Sequence, residues 1–419
     1  MIPTSALSDR AGQVTSEIRR TGARTRVDEI HMENDQIKTT NCILCDCPIT
    51  DANDSREHVF QNAIGGRLTT RGFLCRACNS STGDAWDAEL ARQFNLLSLT
   101  FGISRQRGEL PAQRINTTAG EQLKLLPEGG FALDKPSYSE TDTAAGRQIA
   151  ISARDMNEAR KMLEGAKRKY PQIDVEKLLA EVDPVTSYPK GLVHLPFQFG
   201  GHEAGRALVK STLAFAHHVG IDVVRDCATA LAYLKGGDAA PFGFFYTDDL
   251  VTPRVAGQAF HCVAVAGDPA SGLLLGYIEH FGFQRAVVCL SETYTGAAIN
   301  RSHAIDPTTG LELDLKVRLS FTREELAEIY AYKHFPDDVR EDALKAVLAP
   351  ALLRQRQAEQ EKVFGDAVRQ VYERCGFKDD ERLTDEQQAQ LIGRILERLQ
   401  PYLLHQIMRR PRPNIPPPA

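Results

Sequence analysis

Two pairs of closely spaced cysteines frame a short stretch of the chain. The first pair is Cys42 and Cys45 in CILC, and the second is Cys75 and Cys78 in CRAC. Two thiolates separated by two residues reach one ion from a tight turn, and two such turns complete the tetrahedron that zinc prefers. The spacing therefore predicts a structural zinc site bound by these four cysteines. Cys47 extends the first motif to C-x-x-C-x-C, so it remains an alternative ligand to Cys42 or Cys45.

An acid–histidine pair lies between the two cysteine motifs. Glu57 and His58 stand in SREHVFQNAIGG, which ends in a double glycine, and Asn79 follows the last cysteine directly. In this order, CILC, EHV, AIGGRLT and FLCRACN resemble the HNH endonuclease family, in its zinc-stapled ββα-metal branch. An acid–histidine dipeptide alone carries little information, whereas the ordered set is specific. The resemblance covers about residues 41 to 84, a small share of the chain.

This resemblance implies a hydrolytic site for DNA phosphodiester bonds. His58 matches the family's general base, which takes a proton from the attacking water, and an ordinary imidazole pKa near ~6.5 suits that role. Glu57 and Asn79 match the ligands of a catalytic divalent metal. Their hard oxygen atoms favour Mg²⁺ or Mn²⁺, an ion separate from the structural zinc. The metal would stabilise charge on the scissile phosphate and the leaving oxygen.

Two positions depart from the family pattern. Thr70 stands where the motif has its middle asparagine. In the family that asparagine orients the histidine, so we expect Thr70 to orient His58 less firmly. Gln61 stands where a proline often follows the histidine. The alternative to an enzyme is a catalytically inactive, zinc-stabilised module that binds nucleic acid or protein.

Arginines surround the motif. Their guanidinium forks suit phosphate oxygens, so the sequence predicts that they contact a DNA backbone, with a salt-bridged surface as the alternative. Lys+Arg 50 against Asp+Glu 55 gives a formal charge of -5, so binding must depend on such a local surface. RNA is less favoured as a substrate, because nothing in the sequence is typical of 2′-hydroxyl recognition. The arginines are Arg56, Arg67, Arg71 and Arg76, with Arg105, Arg107 and Arg114 as an extension.

The overall composition points to an ordinary cytoplasmic protein. The N-terminal residues lack the apolar region of a secretory signal, and no apolar run is long enough to span a membrane. Cysteines that cluster in one short region are typical of a metal site in a reducing compartment. A free nuclease harms its own cell, so we expect control by a regulatory protein partner or by homo-oligomer formation. The resemblance also implies a role in restriction or phage defence.

The elements that must position these residues indicate an α+β fold. We expect a small zinc-bound ββα-metal (HNH) domain, then a mixed α+β domain and a helical C-terminal region. Apolar runs such as AFHCVAVAG and RAVVCLS predict strands, RALVKSTLAFAHHVG predicts a buried helix, and Thr322 with Glu325 predicts a capping box. The predicted divisions are a flexible arm (1–38), the HNH domain (39–100), a β-rich connector (101–152), an α+β domain of unknown role (153–320), a helical region (321–410) and a Pro-rich tail (411–419).

Three further motifs are assigned structural roles. GGHEAGRALVKS lacks the lysine and Ser/Thr positions of a phosphate-binding loop. His217 and His218 are adjacent on a predicted helix and cannot easily share one ion, so we expect one to be buried and one exposed. Glu279-His280 lacks flanking cysteines and is expected to decorate a strand end.

Overall fold

The computed structural model describes residues 41–127, 129–143, 146–182, 188–195, 197–376 and 382–409. The predicted arm at 1–38 and the tail at 411–419 lie outside the described residues. The chain combines helices with antiparallel sheets, so the α+β class expected from the sequence is confirmed.

The cysteine-rich segment forms two short strands followed by a long, interrupted helix. The strands pair antiparallel, with Glu57 opposite Thr70 and His58 opposite Thr69. A single 3-10 turn at Asn62–Ile64 lies between them. A π-helical turn at Gly83–Asp87 separates the two helices of the segment. The elements are β1 (Glu57–His58), β2 (Thr69–Thr70), α1 (Arg76–Thr82) and α2 (Ala88–Phe101).

The next segment consists of short strands and two helices. The two helices are separated near Pro171. Asp155 and Asp174 each cap a helix through a side-chain hydrogen bond to a backbone N–H. Four strands form a sheet in the order β5-β4-β3-β8, and β6 pairs with β7. The elements are β3 (Gln113–Thr117), β4 (Gln122–Leu125), β5 (Phe131–Leu133), β6 (Ser137–Thr143), β7 (Gly146–Ser152), α3 (Met156–Lys169), α4 (Val175–Glu181) and β8 (Val193–His194).

The largest sheet has five antiparallel strands in the order β14-β11-β12-β13-β9. Its strands read as continuous apolar runs because both faces are covered. Val263 and Val265 pack with α5, whereas Cys262 and Ala264 pack with Leu326 on the other face. The elements are α5 (His202–His218), α6 (Val223–Asp226), α7 (Ala228–Leu234), β9 (Phe242–Phe244), β10 (Val251–Thr252), β11 (His261–Asp268), β12 (Leu273–His280), β13 (Gln284–Ser291), β14 (Ile299–Ile305) and β15 (Lys316–Val317).

Helix α5 lies between this sheet and the cysteine-rich segment. Leu208 and Leu213 of α5 belong to the same buried apolar cluster as Phe60 and Phe94. The cysteine-rich segment therefore does not bury its apolar side chains by itself, and α5 supplies part of its core.

The C-terminal part is helical, as expected. Thr322 and Glu325 form the predicted capping box at the start of α8. The apolar side chains of the last helix are only partly buried, because Leu399 is buried whereas Ile392 and Leu396 are exposed. The elements are α8 (Arg323–Tyr330), α9 (Asp337–Cys375) and α10 (Asp385–Arg409). Within the described ranges, no helix has both the length and the apolar character needed to cross a membrane.

The histidine motifs differ from expectation in part. His217 is half-buried and His218 is exposed, close to the predicted division. Glu279 and His280 end strand β12, as expected, but the interpretation of the pair as decoration is wrong, because both side chains are fully buried. Glu279 accepts hydrogen bonds from Arg254 and Tyr277, so the pair belongs to the interior of the sheet.

Candidate active site and metal centre

The four predicted zinc ligands converge. The sulfur atoms of Cys42, Cys45, Cys75 and Cys78 all lie within 4.8 Å of one another. The first pair occupies a tight turn closed by a hydrogen bond from the Cys42 backbone N–H to the carbonyl oxygen of Cys47 (2.8 Å), and the second pair lies at the start of α1. Four converging free thiols fit a soft-ligand tetrahedral ion such as zinc.

Cys47 lies beside this cluster. Its sulfur atom is 3.2 Å from that of Cys45. The group of four mutually close sulfur atoms, however, consists of the cysteines of the two C-x-x-C pairs. The geometry therefore favours Cys42 and Cys45 over Cys47 as ligands.

Glu57, His58 and Asn79 line one cleft of about 240 Å³. Strand β1 contributes the first two residues, and α1 contributes Asn79 because the helix begins just after the second cysteine pair. Asp87, from the π-helical turn, lines the same cleft. A cleft that gathers an imidazole, a carboxylate and an amide is suited to hydrolytic chemistry.

The Glu57 carboxylate is almost completely buried and paired with a buried lysine. Lys210 of α5 places its Nζ 2.7 Å from Oε1 of Glu57 and 2.5 Å from Oδ2 of Asp87. Burial raises the pKa of Glu57 to about 7, against the lowering effect of the Lys210 charge. The two carboxylates raise the pKa of Lys210 despite its burial, so the lysine is an ammonium ion here.

His58 faces the cleft in a half-buried position. Burial lowers the pKa of His58 below its ordinary value, while a hydrogen bond to the Gln106 side chain acts in the opposite direction. The charge of nearby Arg107 adds to the lowering. A lowered pKa keeps the imidazole neutral at pH 7, the form that accepts a proton.

The loop that reaches His58 is held by the turn after β1. Asn62 accepts a hydrogen bond from the Gln106 backbone N–H (2.8 Å) and donates to the carbonyl oxygen of Arg107 (3.2 Å). The sequence did not identify Gln106, because no spacing rule links a loop residue to a histidine so far upstream.

Thr70 lies outside the cleft-lining residues. Its buried hydroxyl group is 3.0 Å from Nδ1 of His217 on α5. The strand register places Thr70 opposite Glu57, whereas Thr69 is opposite His58. In this structure, therefore, the Thr70 side chain contacts α5, and the Gln106 side chain contacts His58.

The double glycine and Gln61 shape the turn after β1. A side chain at Gly66 would place its Cβ 1.8 Å from the carbonyl oxygen of Phe60, so only glycine fits there. Gln61 donates from Nε2 to Oδ1 of Asp87 (3.0 Å) and to the hydroxyl oxygen of Ser211 (3.2 Å). A proline at position 61 would lack these bonds.

The predicted arginine contacts divide into two groups. Arg56 and Arg76 are exposed. Arg67 donates to the carbonyl oxygen of Ser104 (2.9 Å), and Arg71 forms a salt bridge with Asp54 (2.9 Å). The first two arginines are therefore the better placed of the four to meet a ligand from solvent.

The oxygen atoms at the cleft fit a hard divalent cation. Asn79 uses its amide nitrogen to donate to the carbonyl oxygen of Arg56 (3.2 Å), so its carbonyl oxygen is the donor atom that suits such a cation. Glu57 supplies a carboxylate to the same cleft. Both oxygens of Asp87 are already engaged, one by Lys210 and one by Gln61.

Two residues of this site were missed in the sequence. Asp87 is not part of the motif recognised in the sequence, and Lys210 lies in RALVKSTLAFAHHVG, which was predicted only as a buried helix. The available signal was a lysine within an otherwise apolar helix, since a lysine is rarely buried unless it is paired.

Comparison with known proteins supports the motif analysis. Residues 42–95 match a family model described as HNH endonuclease. The matched segment contains both cysteine pairs, the cleft residues of β1 and α1, and Asp87. No curated protein and no solved structure matched the chain.

Proposed function

We propose, from the membership of residues 42–95 in the HNH endonuclease family, that the protein is a metal-dependent endonuclease that hydrolyses DNA phosphodiester bonds. The observation that carries the proposal is the convergence of Glu57, His58 and Asn79 on one cleft within the matched segment. These are the residues whose positions in the motif imply a base and two metal ligands.

His58 is the proposed general base. Its half-buried, neutral imidazole takes a proton from the water that attacks the phosphorus atom. The Gln106 side chain lies beside the ring, and the positive charge of Arg107 acts on the same imidazole.

Glu57 and Asn79 are the proposed ligands of Mg²⁺ or Mn²⁺. When bound, a divalent cation here supplies charge stabilisation for the phosphate and the leaving oxygen. The four clustered cysteines hold zinc and fix the first turn against α1, which sets the distance between Asn79 and β1.

DNA is the proposed substrate, held through its backbone. Arg56, which precedes Glu57, and Arg76, which lies within the second cysteine pair, are exposed, so they are suited to phosphate contacts. Residues 39–100 form the proposed nuclease domain. The remainder, including 153–320 and 321–410, is proposed to serve targeting, assembly or regulation.

Cleavage of a supercoiled plasmid tests the proposal. The wild-type chain is expected to nick or linearise plasmid in Mg²⁺ or Mn²⁺ and to lose activity in a chelator. His58→Ala is expected to reduce the rate at least about 100-fold, whereas His202→Ala, at an exposed histidine outside the cleft, leaves it unchanged. Cleavage by His58→Ala at the wild-type rate would overturn the assignment of the base.

Two observations favour a second candidate, an inactive zinc-stabilised binding module. The Glu57 carboxylate is already paired with Lys210, and Thr70 replaces the asparagine of the motif. Such a module binds DNA without metal-dependent cleavage and is indifferent to His58→Ala, so the plasmid assay separates the two candidates.

A further inference from the structure

A lysine from outside the matched segment reaches the carboxylate proposed to hold the metal. Lys210 lies in the middle of α5, between Val209 and Ser211, and is completely buried. Its ammonium group is 2.7 Å from Oε1 of Glu57. A buried ammonium group is strongly unfavourable unless it is paired, so its partners account for the presence of this lysine.

The ammonium group is itself fixed in place. Asp87 accepts its hydrogen bond through Oδ2 at 2.5 Å, and the Thr82 hydroxyl oxygen lies at 3.4 Å. The other oxygen of Asp87 accepts from Gln61, which also donates to Ser211 of α5. Lys210 is therefore bound to Asp87 as well as to Glu57, and it contacts the Glu57 carboxylate from within the protein.

The charges of the group leave a negative balance. With both carboxylates ionised, the two carboxylates and one ammonium group carry a net charge of −1. Glu57 and Asp87 both line the cleft. A carboxylate that ligates a metal commonly depends on a further partner that sets its direction, and loss of such a partner weakens the metal site. A lysine anchored by a second carboxylate is a partner of this kind.

We propose that Lys210, anchored by Asp87, is a positioning residue that holds the Glu57 carboxylate in the orientation that binds the divalent cation. This inference rests on the proposed function of Glu57 as a metal ligand. Helix α5, which follows the motif by more than a hundred residues, thereby completes the site. If the ammonium group instead competed with the cation for Glu57, removing the lysine would tighten cation binding and not weaken it.

Direct binding of Mn²⁺ to the full-length, zinc-loaded chain tests the inference, with electron paramagnetic resonance to count free Mn²⁺. Lys210→Met removes the ammonium group while keeping an apolar chain of similar length. Asp87→Asn removes the anchor and keeps the lysine. Both variants are expected to weaken Mn²⁺ binding by about 10-fold or more, and their cleavage rates are expected to recover as Mn²⁺ is raised.

A matched control is Arg254→Met. Arg254 is half-buried and is also paired with a buried carboxylate, Glu279 of β12, and neither residue lines the cleft. The control is expected to lower the melting temperature without changing the Mn²⁺ affinity. A weaker Mn²⁺ affinity confined to the Lys210 and Asp87 variants thus separates positioning from general destabilisation.

Unchanged or tighter Mn²⁺ binding in folded Lys210→Met would overturn the inference. If that variant does not fold, unchanged or tighter Mn²⁺ binding in Asp87→Asn would overturn it. Absence of Mn²⁺ binding to the wild type would overturn it as well. His58→Ala separates the two proposals, because it should bind Mn²⁺ normally and fail to cleave. If the wild type bound Mn²⁺ but cut no DNA, the nuclease proposal would fail while the role of Lys210 stood on the binding data.

Discussion

A buried histidine joins the cysteine-rich segment to the large sheet and should make the stability of the protein depend on pH. His261, at the start of β11, is fully buried. Its Nδ1 accepts a hydrogen bond from the backbone N–H of Phe281 (3.1 Å), so Nε2 carries the proton and donates to the carbonyl oxygen of Ile64 (2.8 Å). These partners fix the neutral imidazole, since a second proton would face another N–H.

The magnitude follows from the pKa of His261, which burial lowers from 6.5 to about 4. Between these values the unfolded chain binds a proton that the folded chain does not, so the free energy of unfolding falls as pH falls. At about 1.4 kcal/mol per pH unit, this histidine should remove about 3 kcal/mol of stability between pH 7 and pH 4. The loss begins near the unfolded pKa and is complete near the folded one.

Urea unfolding of the wild type and of His261→Gln at several pH values measures this contribution. The amide of glutamine can replace both hydrogen bonds imperfectly, so the variant should lose about 1–2 kcal/mol at pH 7. Because glutamine does not titrate, the difference should shrink or reverse as pH falls. The exposed His202→Gln should follow the wild type at every pH. A stability difference between wild type and His261→Gln that is the same at pH 7 and pH 4.5 would refute the reasoning.

Two further predictions concern the folding of the cysteine-rich segment. Cys75→Ser should abolish zinc binding and lower the melting temperature by more than about 5 °C. The control Cys375→Ser should change neither the zinc content nor the melting temperature. Retained zinc in Cys75→Ser, measured by metal analysis, would contradict the four-cysteine site. Gly66→Ala should destabilise the protein by about 3 kcal/mol or more, because its Cβ would overlap the Phe60 carbonyl oxygen. In the control Gly83→Ala, the added Cβ meets open space, so this variant should be tolerated. Equal urea midpoints for the two alanine variants would argue against this explanation of the turn.

The parts of the site that were predicted from sequence are local in the chain. The C-x-x-C spacing alone restricts each cysteine pair to a turn, so the convergence of the four thiols followed from chemistry and order. The family resemblance rested on the same local order and is confirmed by the match to residues 42–95. The strands and helices of the sheet region were also predicted, because their apolar runs are long and distinct.

The parts that were missed depend on contacts between distant segments. Three contacts join residues far apart in the chain. The Thr70–His217 contact spans 147 positions and the Ile64–His261 contact spans 197. The Glu57–Lys210 pair is similarly distant in sequence. Local pattern does not determine which helix covers a motif. The same limit explains the error at Glu279-His280, where burial depends on elements that cover the sheet.

Single-turnover cleavage of an end-labelled DNA duplex in Mn²⁺ tests most directly the proposal that His58 activates water for phosphodiester hydrolysis. The rate for His58→Ala should fall at least about 100-fold, with Mn²⁺ affinity, zinc content and melting temperature close to those of the wild type. Cleavage by the folded, metal-loaded variant at the wild-type rate would contradict the account.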